Sequence, residues 1–257
     1  MAGSSGKWGL YGCDVFFRFD QRNHVYTAGG REVPNVTKIT GQLDKPALRY
    51  WFKNQALDAV NAFLSARVGE RVDEMLVNRI RDSSAYIGTT VHAWIEQWVI
   101  AHVEGNPTPA WPLSEKIRKA CQRFVEWANG SSLDFTFAER KVFSREQFYA
   151  GTVDIGVAPA EASGDGRTRA IIDIKTGNTV AYRGNIYPEI RMQMAAYSAA
   201  IGEEDGAGYP RRIVVHIPAR RGGLLRAYYL DEDPNAYEQD LGMFLALREF
   251  YRISEGV

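Results

Sequence analysis

The sequence is short of cysteine. Two thiols, Cys13 and Cys121, stand far apart among 257 residues. A disulfide framework or a four-cysteine metal site needs more. A single bridge is open to them, and two free thiols in a reducing cytosol is the preferred reading. An excess of one charge is missing as well, with 31 Lys+Arg against 31 Asp+Glu. Net charge therefore makes no case for a polyanionic partner, and any such site must come from local clustering. No run of about 20 apolar residues occurs, so nothing reads as membrane-spanning. The stretch Met1 to Phe17 has only a short apolar run, broken by Asp14, and no signal peptide is visible. A cytoplasmic location is expected. Internal repeats and long Pro/Gly/Ser linkers are also lacking.

What remains is ordinary globular composition. Hydrophobic residues at 45% and charged residues at 24% exclude a disordered chain, a collagen-like fibre and a coiled coil. The length allows one or two domains. We expect one domain over 1–257. It has an N-terminal elaboration over 1–70, a core over 83–201, and a C-terminal hairpin and helix over 209–257.

Periodicity gives the elements. Residues 14 to 40 read as short strands, with a turn at Ala28-Gly-Gly30 and a strand over Val33 to Ile39. Pro46 opens a helical pattern to about Ala66. A helix capped by Ser83 or Ser84 runs to about Val103, and another covers Leu113 to Ala128, ended by Asn129-Gly130. The period then changes to two. Phe137 to Phe143, Phe148 to Val157 and Thr168 to Ile174 read as strands, and Pro188 to Ile201 as a helix. Ile213 to Ile217 and Leu224 to Leu230 form a hairpin, and Asn235 to Ser254 a last helix. Helices, sheet and helices again make an α/β layout with antiparallel neighbours.

The chemistry gathers on two strands. Asp173 interrupts the apolar run Ala170-Ile-Ile-Asp-Ile174, and Lys175 shares its face. If the strands before and after the Gly-rich loop near Ser163 to Gly166 pair, Asp154 can sit across from them. A buried carboxylate costs on the order of several kcal/mol unless compensated, and Asp is a poor strand former. Two carboxylates repel, and one ammonium half offsets them. A hard divalent cation would resolve the conflict. The plainer reading is an exposed salt bridge on an edge strand, worth roughly 0.2–1 kcal/mol.

Neighbouring residues favour the cation. His92 lies on a helical stripe with Gly88 one turn before and Glu96 one turn after. Gly88 clears space for a close approach by another backbone. Glu96 either orients the imidazole from behind or is a solvated surface acid. Gln193 and Tyr197 lie one turn apart on one helix face, lining a cleft or simply belonging to an amphipathic helix. Two basic clusters are the local concentrations of positive charge that a polyanion site needs. Arg211, Arg212, Arg220, Arg221 and Arg226 fall in a stretch without acids, and Lys38, Lys45, Arg49 and Lys53 interleave with Tyr50, Trp51 and Phe52. Arginines near aromatics suit a single-strand channel; a solvated hairpin face is the alternative. Glu139 is an extra acid near the cation or a strand-surface charge.

The order Gly88-x-x-x-His92, Gly151-x-x-Asp154, Asp173-x-Lys175 and Gln193-x-x-x-Tyr197 resembles the RecB-like branch of the PD-(D/E)XK nuclease superfamily. Val33-Pro-Asn-Val-Thr-Lys-Ile-Thr40 and Leu43-Asp-Lys-Pro-Ala-Leu48 look like the lead-in of exonuclease-like phage proteins of that branch. The resemblance covers roughly residues 24 to 200. It implies a restriction-endonuclease-like core, a central mixed β-sheet flanked by helices, with the N-terminal β/helical segment added to it. It implies His92, Asp154, Asp173 and the carbonyl of Ile174 as ligands of Mg²⁺ or Mn²⁺, and Asp154, Asp173 and Lys175 as the catalytic set. Gln193 and Tyr197 would position the DNA strand. The implied reaction is metal-assisted phosphodiester hydrolysis.

Three departures stand out. Val153 occupies the place of the Pro, Asp173 that of the Glu many members use, and two cysteines cannot build the iron–sulfur cluster of some relatives. The leading expectation is a Mg²⁺/Mn²⁺-dependent DNA exonuclease acting on single strands or duplex ends, in phage recombination, replication or repair. A recombination or single-strand-binding protein would be its partner. Alternatives are a structure-selective endonuclease on the same fold and a non-catalytic DNA-binding protein. A zinc hydrolase using His24, His92, His102 and His216 lacks ligand spacing.

Overall fold

A computed structural model describes residues 6–12, 15–43, 74–159, 169–177, 180–182, 184–206, 209–218 and 223–256. The helix expected from Pro46 and the basic-aromatic cluster Lys45 to Lys53 lie outside them, as do Arg220 and Arg221.

Five strands form the central sheet. β5 (Leu133–Ser144), β6 (Tyr149–Pro159), β7 (Ala170–Gly177), β10 (Arg211–Pro218) and β11 (Arg226–Tyr229) stand in the order β11-β10-β7-β6-β5. β10 runs parallel to β7, and every other pair is antiparallel. β7 is central because its residues suit burial on both faces: Ala170 through Ile174 are all buried. The parallel β7–β10 pair requires a crossover, and α4 (Pro188–Asp205) supplies it. The sheet is thus mixed and flanked by helices. α2 (Glu74–Glu104) and α3 (Glu115–Gly130) bury Val91, Ile95, Cys121 and Phe124 against Ile155, Ile172, Ile174 and Val215. On the other face, α1 (Val36–Thr40), α4 and α5 (Ala236–Glu255) pack over Val153, Ile171 and Val214.

The N-terminal part adds a four-stranded antiparallel meander: β1 (Gly6–Leu10), β2 (Val15–Asp20), β3 (Val25–Ala28) and β4 (Arg31–Val33). Its aromatic face, Phe17, Phe19 and Tyr26, packs on Phe143 and Ala150 of the central sheet. A small two-stranded ladder, β8 (Ala181–Tyr182) and β9 (Asn185–Ile186), precedes α4.

The expected strand over Val33 to Ile39 is a helix after Val33. Asn35 caps α1, its side chain accepting the Lys38 N–H at 2.6 Å, the usual reason Asn marks a helix start. Ser83 and Ser84 lie inside α2, which begins about nine residues earlier than the expected cap. α3 continues through Asn129-Gly130 and closes at Ser131, whose N–H and hydroxyl both reach the Ala128 carbonyl.

Candidate active site

The antiparallel register of β6 with β7 is Val157↔Ala170, Gly156↔Ile171 and Ile155↔Ile172. The next step would set Asp154 opposite Asp173, and there the ladder stops. The Ile174 N–H, which would have met β6, donates instead to Asp154 Oδ2 at 2.8 Å. Within a strand, the N–H and C=O of one residue lie along the same edge. The Ile174 carbonyl therefore lies on the edge where the strands part.

Alternation in β6 breaks at the same place. Tyr149, Gly151 and Val153 face α4: the Tyr149 hydroxyl donates to the Ala196 carbonyl at 2.9 Å, and a Cβ at Gly151 would collide with the Tyr197 ring. Ile155 and Val157 face α2 and α3. An unbroken period of two would put all five on one face; the strand instead switches faces at Asp154. The neighbouring strand is irregular at the same level. The β5–β6 register skips Glu139 opposite Asp154, and Glu139 has φ 50°.

The cleft at this point has a volume of about 290 Å³. His92, Glu139, Asp154, Asp173, Lys175, Gln193 and Tyr197 line it. Asp173 is buried, its side chain 3% exposed. The Lys175 ammonium donates to its Oδ1 at 2.8 Å and lies 2.7 Å from its Oδ2. Gln193 Nε2 also donates to Oδ1, at 3.2 Å, and to the Tyr197 hydroxyl at 3.2 Å. Oδ2 is buried and makes no hydrogen bond of acceptable angle, for all its closeness to the ammonium. His92 Nδ1 lies 3.7 Å from Asp154 Oδ2.

Electrostatics follow from this crowding. Burial pushes both the Asp154 and the Asp173 carboxyls up. His92 and Lys175 pull Asp154 down again and Lys175 does the same to Asp173, while Glu139 raises Asp154 and Asp154 raises Asp173. Burial alone would lower Lys175, but Asp173 and Asp154 outweigh it and hold the ammonium above its ordinary range. Glu96 and Glu139 are also raised by burial, with Lys141 opposing. This is a site where negative charge converges on too little compensation.

A divalent cation fits that shortage. The fit rests on Asp173 Oδ2, a buried oxygen without a hydrogen bond, and on a donor set of two carboxylates, one imidazole and an edge carbonyl. Oxygen-rich donors with one imidazole suit Mg²⁺ or Mn²⁺ better than zinc. The set converges without being closed: among the described residues, no three His, Cys, Asp or Glu side chains are already drawn together as a metal cage.

The other expected residues fall as follows. A Cβ at Gly88 would lie 2.7 Å from Thr176 Oγ1. The space is thus cleared for a side chain beside Lys175, not for a backbone. Glu96 is half-buried and forms no hydrogen bond to His92. The Tyr197 ring is 4% exposed and fills the gap over Gly151, while Gln193 holds Asp173.

Arg212 is a correction. Its side chain has no exposure at all, and its guanidinium is committed to Asp231 (2.6 and 2.9 Å), Asp240 (2.9 Å) and the Arg191 carbonyl (3.3 Å). A phosphate cannot reach it. Arg211 lies over the Tyr229 ring at 5.9 Å. Its β7 partner is Ala170, three positions or roughly 10 Å along the strand from Asp173.

Sequence reasoning gave little weight to Glu139 and none to the meander as part of the site. Phe19, Gln21, His24 and Tyr26 line the same cleft. Tyr26 and Thr152 share a hydroxyl–hydroxyl hydrogen bond of 2.8 Å, two residues before Asp154. Aromatic alternation in Phe17-Arg-Phe19 and Val25-Tyr26 was the available signal. A larger groove of about 570 Å³ lies elsewhere, lined by Ser198, Tyr209, Asp231, Asp233 and Tyr237. Its carboxylates are engaged, Asp231 with Arg212 and Asp233 with the Asn235 N–H.

No family model and no curated protein matches the sequence. Among solved structures, a provisionally named exonuclease from Eubacterium rectale aligns with a TM-score of 0.43 at 10% identity, over 66% of this chain and 68% of that one. The protein SSO0001 aligns with a TM-score of 0.29 at 14% identity, over 80% of this chain and 88% of that one. Neither likeness is close enough to argue from.

Proposed function

We propose that this protein is a metal-dependent deoxyribonuclease of the RecB-like PD-(D/E)XK kind, acting as an exonuclease on DNA. The observation that carries the reading is the pairing of Asp154 and Asp173 across parted strands, with Lys175 against one and His92 beside the other. The resemblance of the four motifs supports it independently.

The residues divide the work. Asp154, Asp173, His92 and the Ile174 carbonyl would hold Mg²⁺ or Mn²⁺. Such a cation supplies a water of lowered pKa and offsets charge on the phosphate. Lys175, kept protonated by the carboxylates, neutralises a phosphate oxygen or orients the attacking water. Gln193 fixes Asp173 through Oδ1, and Oδ2, which makes no hydrogen bond, would be the oxygen available to a cation. Tyr197 packs over Gly151 and holds β6 at the distance that α4 sets. A phage role in recombination, replication or repair, in a host cytoplasm and beside a single-strand-binding partner, belongs to the same proposal. No helix among the described residues is long and apolar enough to cross a membrane.

One observation favours the non-catalytic DNA-binding reading. Lys175 already neutralises Asp173, so the pair can persist without a cation. Binding of Mn²⁺, followed by its paramagnetic resonance, separates the two. The nuclease reading expects Mn²⁺ binding that Asp173→Asn abolishes. Equal binding by both proteins would remove the ligand assignment.

A further inference from the structure

The β2–β3 turn presents an aromatic group to the cleft that the hydrolytic residues do not use. We propose that His24, carried on Phe19 and Tyr26, is a stacking platform for the nucleobase beside the phosphate that Asp154 and Asp173 address. The proposal rests on the nuclease reading and specifies its substrate as a single strand.

Phe19 and Tyr26 are buried and stacked, with centroids 4.5 Å apart at 28°. The His24 ring stands nearly perpendicular to both, 5.2 Å from Phe19 at 84° and 5.8 Å from Tyr26 at 80°. Two edge-to-face contacts therefore fix an otherwise exposed imidazole in one orientation. The backbone of His24 is left-handed, with φ 53°, a conformation His adopts more readily than most residues. Burial and the nearby Lys141 both lower its pKa, so the ring stays neutral at pH 7.

The platform is tied to the hydrolytic residues in two ways. It lines the same cleft, and the Tyr26 hydroxyl is bonded to Thr152 on β6. The cleft volume, about 290 Å³, lies at the low end of small-ligand pockets, roughly 300–1,000 Å³. That is room for part of one nucleotide at a time. Exposed aromatic faces next to phosphate-binding groups are how single strands are held without regard to sequence. Behind this wall the Lys141 ammonium lies 5.0 Å from the Phe19 ring centroid and 3.4 Å from Glu139 Oε2.

The test uses short single-stranded oligothymidylates with one abasic residue, moved through the terminal positions of each end. Binding and cleavage are both measured for wild type, His24→Asn and His24→Phe. Asn suits the left-handed backbone and removes the ring, so the fold is kept. At one abasic position, wild type is expected to lose affinity by on the order of tenfold, with a matching rise in KM. His24→Asn should bind intact and abasic strands alike, and His24→Phe should restore the difference. An undiminished preference in His24→Asn would overturn the platform while the nuclease reading stands. Binding that depends on the base and on His24, without cleavage, would keep the platform and remove the nuclease. Neither binding nor cleavage by wild type would overturn both.

Discussion

Asp154 accepts the backbone N–H of Ile174 at 2.8 Å, standing in for a strand-to-strand bond. One side chain thereby stands between β6 and β7, satisfies the Ile174 N–H and lines the cleft that Asp173 shares. The sheet gives up ladder pairing to make room between two acids. Burying an unpaired donor or acceptor costs about 1–3 kcal/mol, so the Asp154–Ile174 bond is part of what makes the opening tolerable.

Both aspartates are raised by burial, and this sets a pH dependence of stability. A carboxyl whose folded pKa exceeds its unfolded value stabilises the fold below the unfolded pKa. That contribution is lost as pH rises through the folded pKa. In chelator, this contribution should therefore be present in acid and lost as pH rises above the ordinary carboxylate range, so on account of these groups the protein should melt lower at pH 7.5 than in acid. Asp173→Asn should narrow the gap and melt higher at pH 7.5, each kcal/mol gained being worth roughly 2–4 °C in a chain of this size. Thermal melts followed by circular dichroism measure both. An Asn variant that melts lower at pH 7.5 would show that the ion pair with Lys175 outweighs the burial cost.

His92 should matter for metal use and little for folding. Its side chain is 32% exposed and touches Asp154 without packing into either core cluster. His92→Ala should move the Mg²⁺ midpoint for cleavage upward by roughly 10–100-fold, as loss of a ligand or its support does. An unchanged titration would make it a bystander.

Arg212 separates stability from DNA contact. It is enclosed with Asp231 and Asp240, and Arg191 holds the other side of Asp240 at 2.8 Å. Arg212→Ala takes the guanidinium from Asp231 and leaves the buried Asp240 to Arg191 alone, and should cost about 3–5 kcal/mol, read from urea unfolding. Arg226, exposed on β11, carries no such burden, and Arg226→Glu should alter stability by less than about 0.5 kcal/mol. A small loss in Arg212→Ala would mean that the network relaxes around the gap.

Cys121 reports on integrity. Burial pushes its thiol up to about 12. In a Cys13→Ser background, it should resist a disulfide reagent at pH 8 and react only as the chain unfolds. Fast reaction in native buffer would place α3 among the elements that open readily.

Much of this was legible in the chain. The run Ala170-Ile-Ile-Asp-Ile174 marked a strand buried on both faces with a misplaced acid. The β-period of its neighbour put Asp154 within reach, and Pro188 and Pro234 marked helix starts. Other features were not legible, for physical reasons. The face switch in β6 coincides with a positive φ at Glu139, and nothing local in Ala138-Glu-Arg-Lys141 demands that. Arg212 looked like Arg211 in sequence; only the return of Asp231 and Asp240 to the same place buries it. The aromatic wall is built by packing between segments more than 120 residues apart, as in the Tyr26–Thr152 bond. Val36 to Thr40 carries β-branched residues, yet the Asn35 cap decides for helix.

The most direct measurement is cleavage of end-labelled linear DNA and closed circular DNA in Mg²⁺, Mn²⁺ or chelator, beside Lys175→Ala. We predict cation-dependent degradation of linear strands from their ends, no loss of circles, and no degradation by the variant. Cutting of circles would replace the exonuclease with an endonuclease. DNA bound but never cut by the wild-type protein, with either cation, would contradict the account.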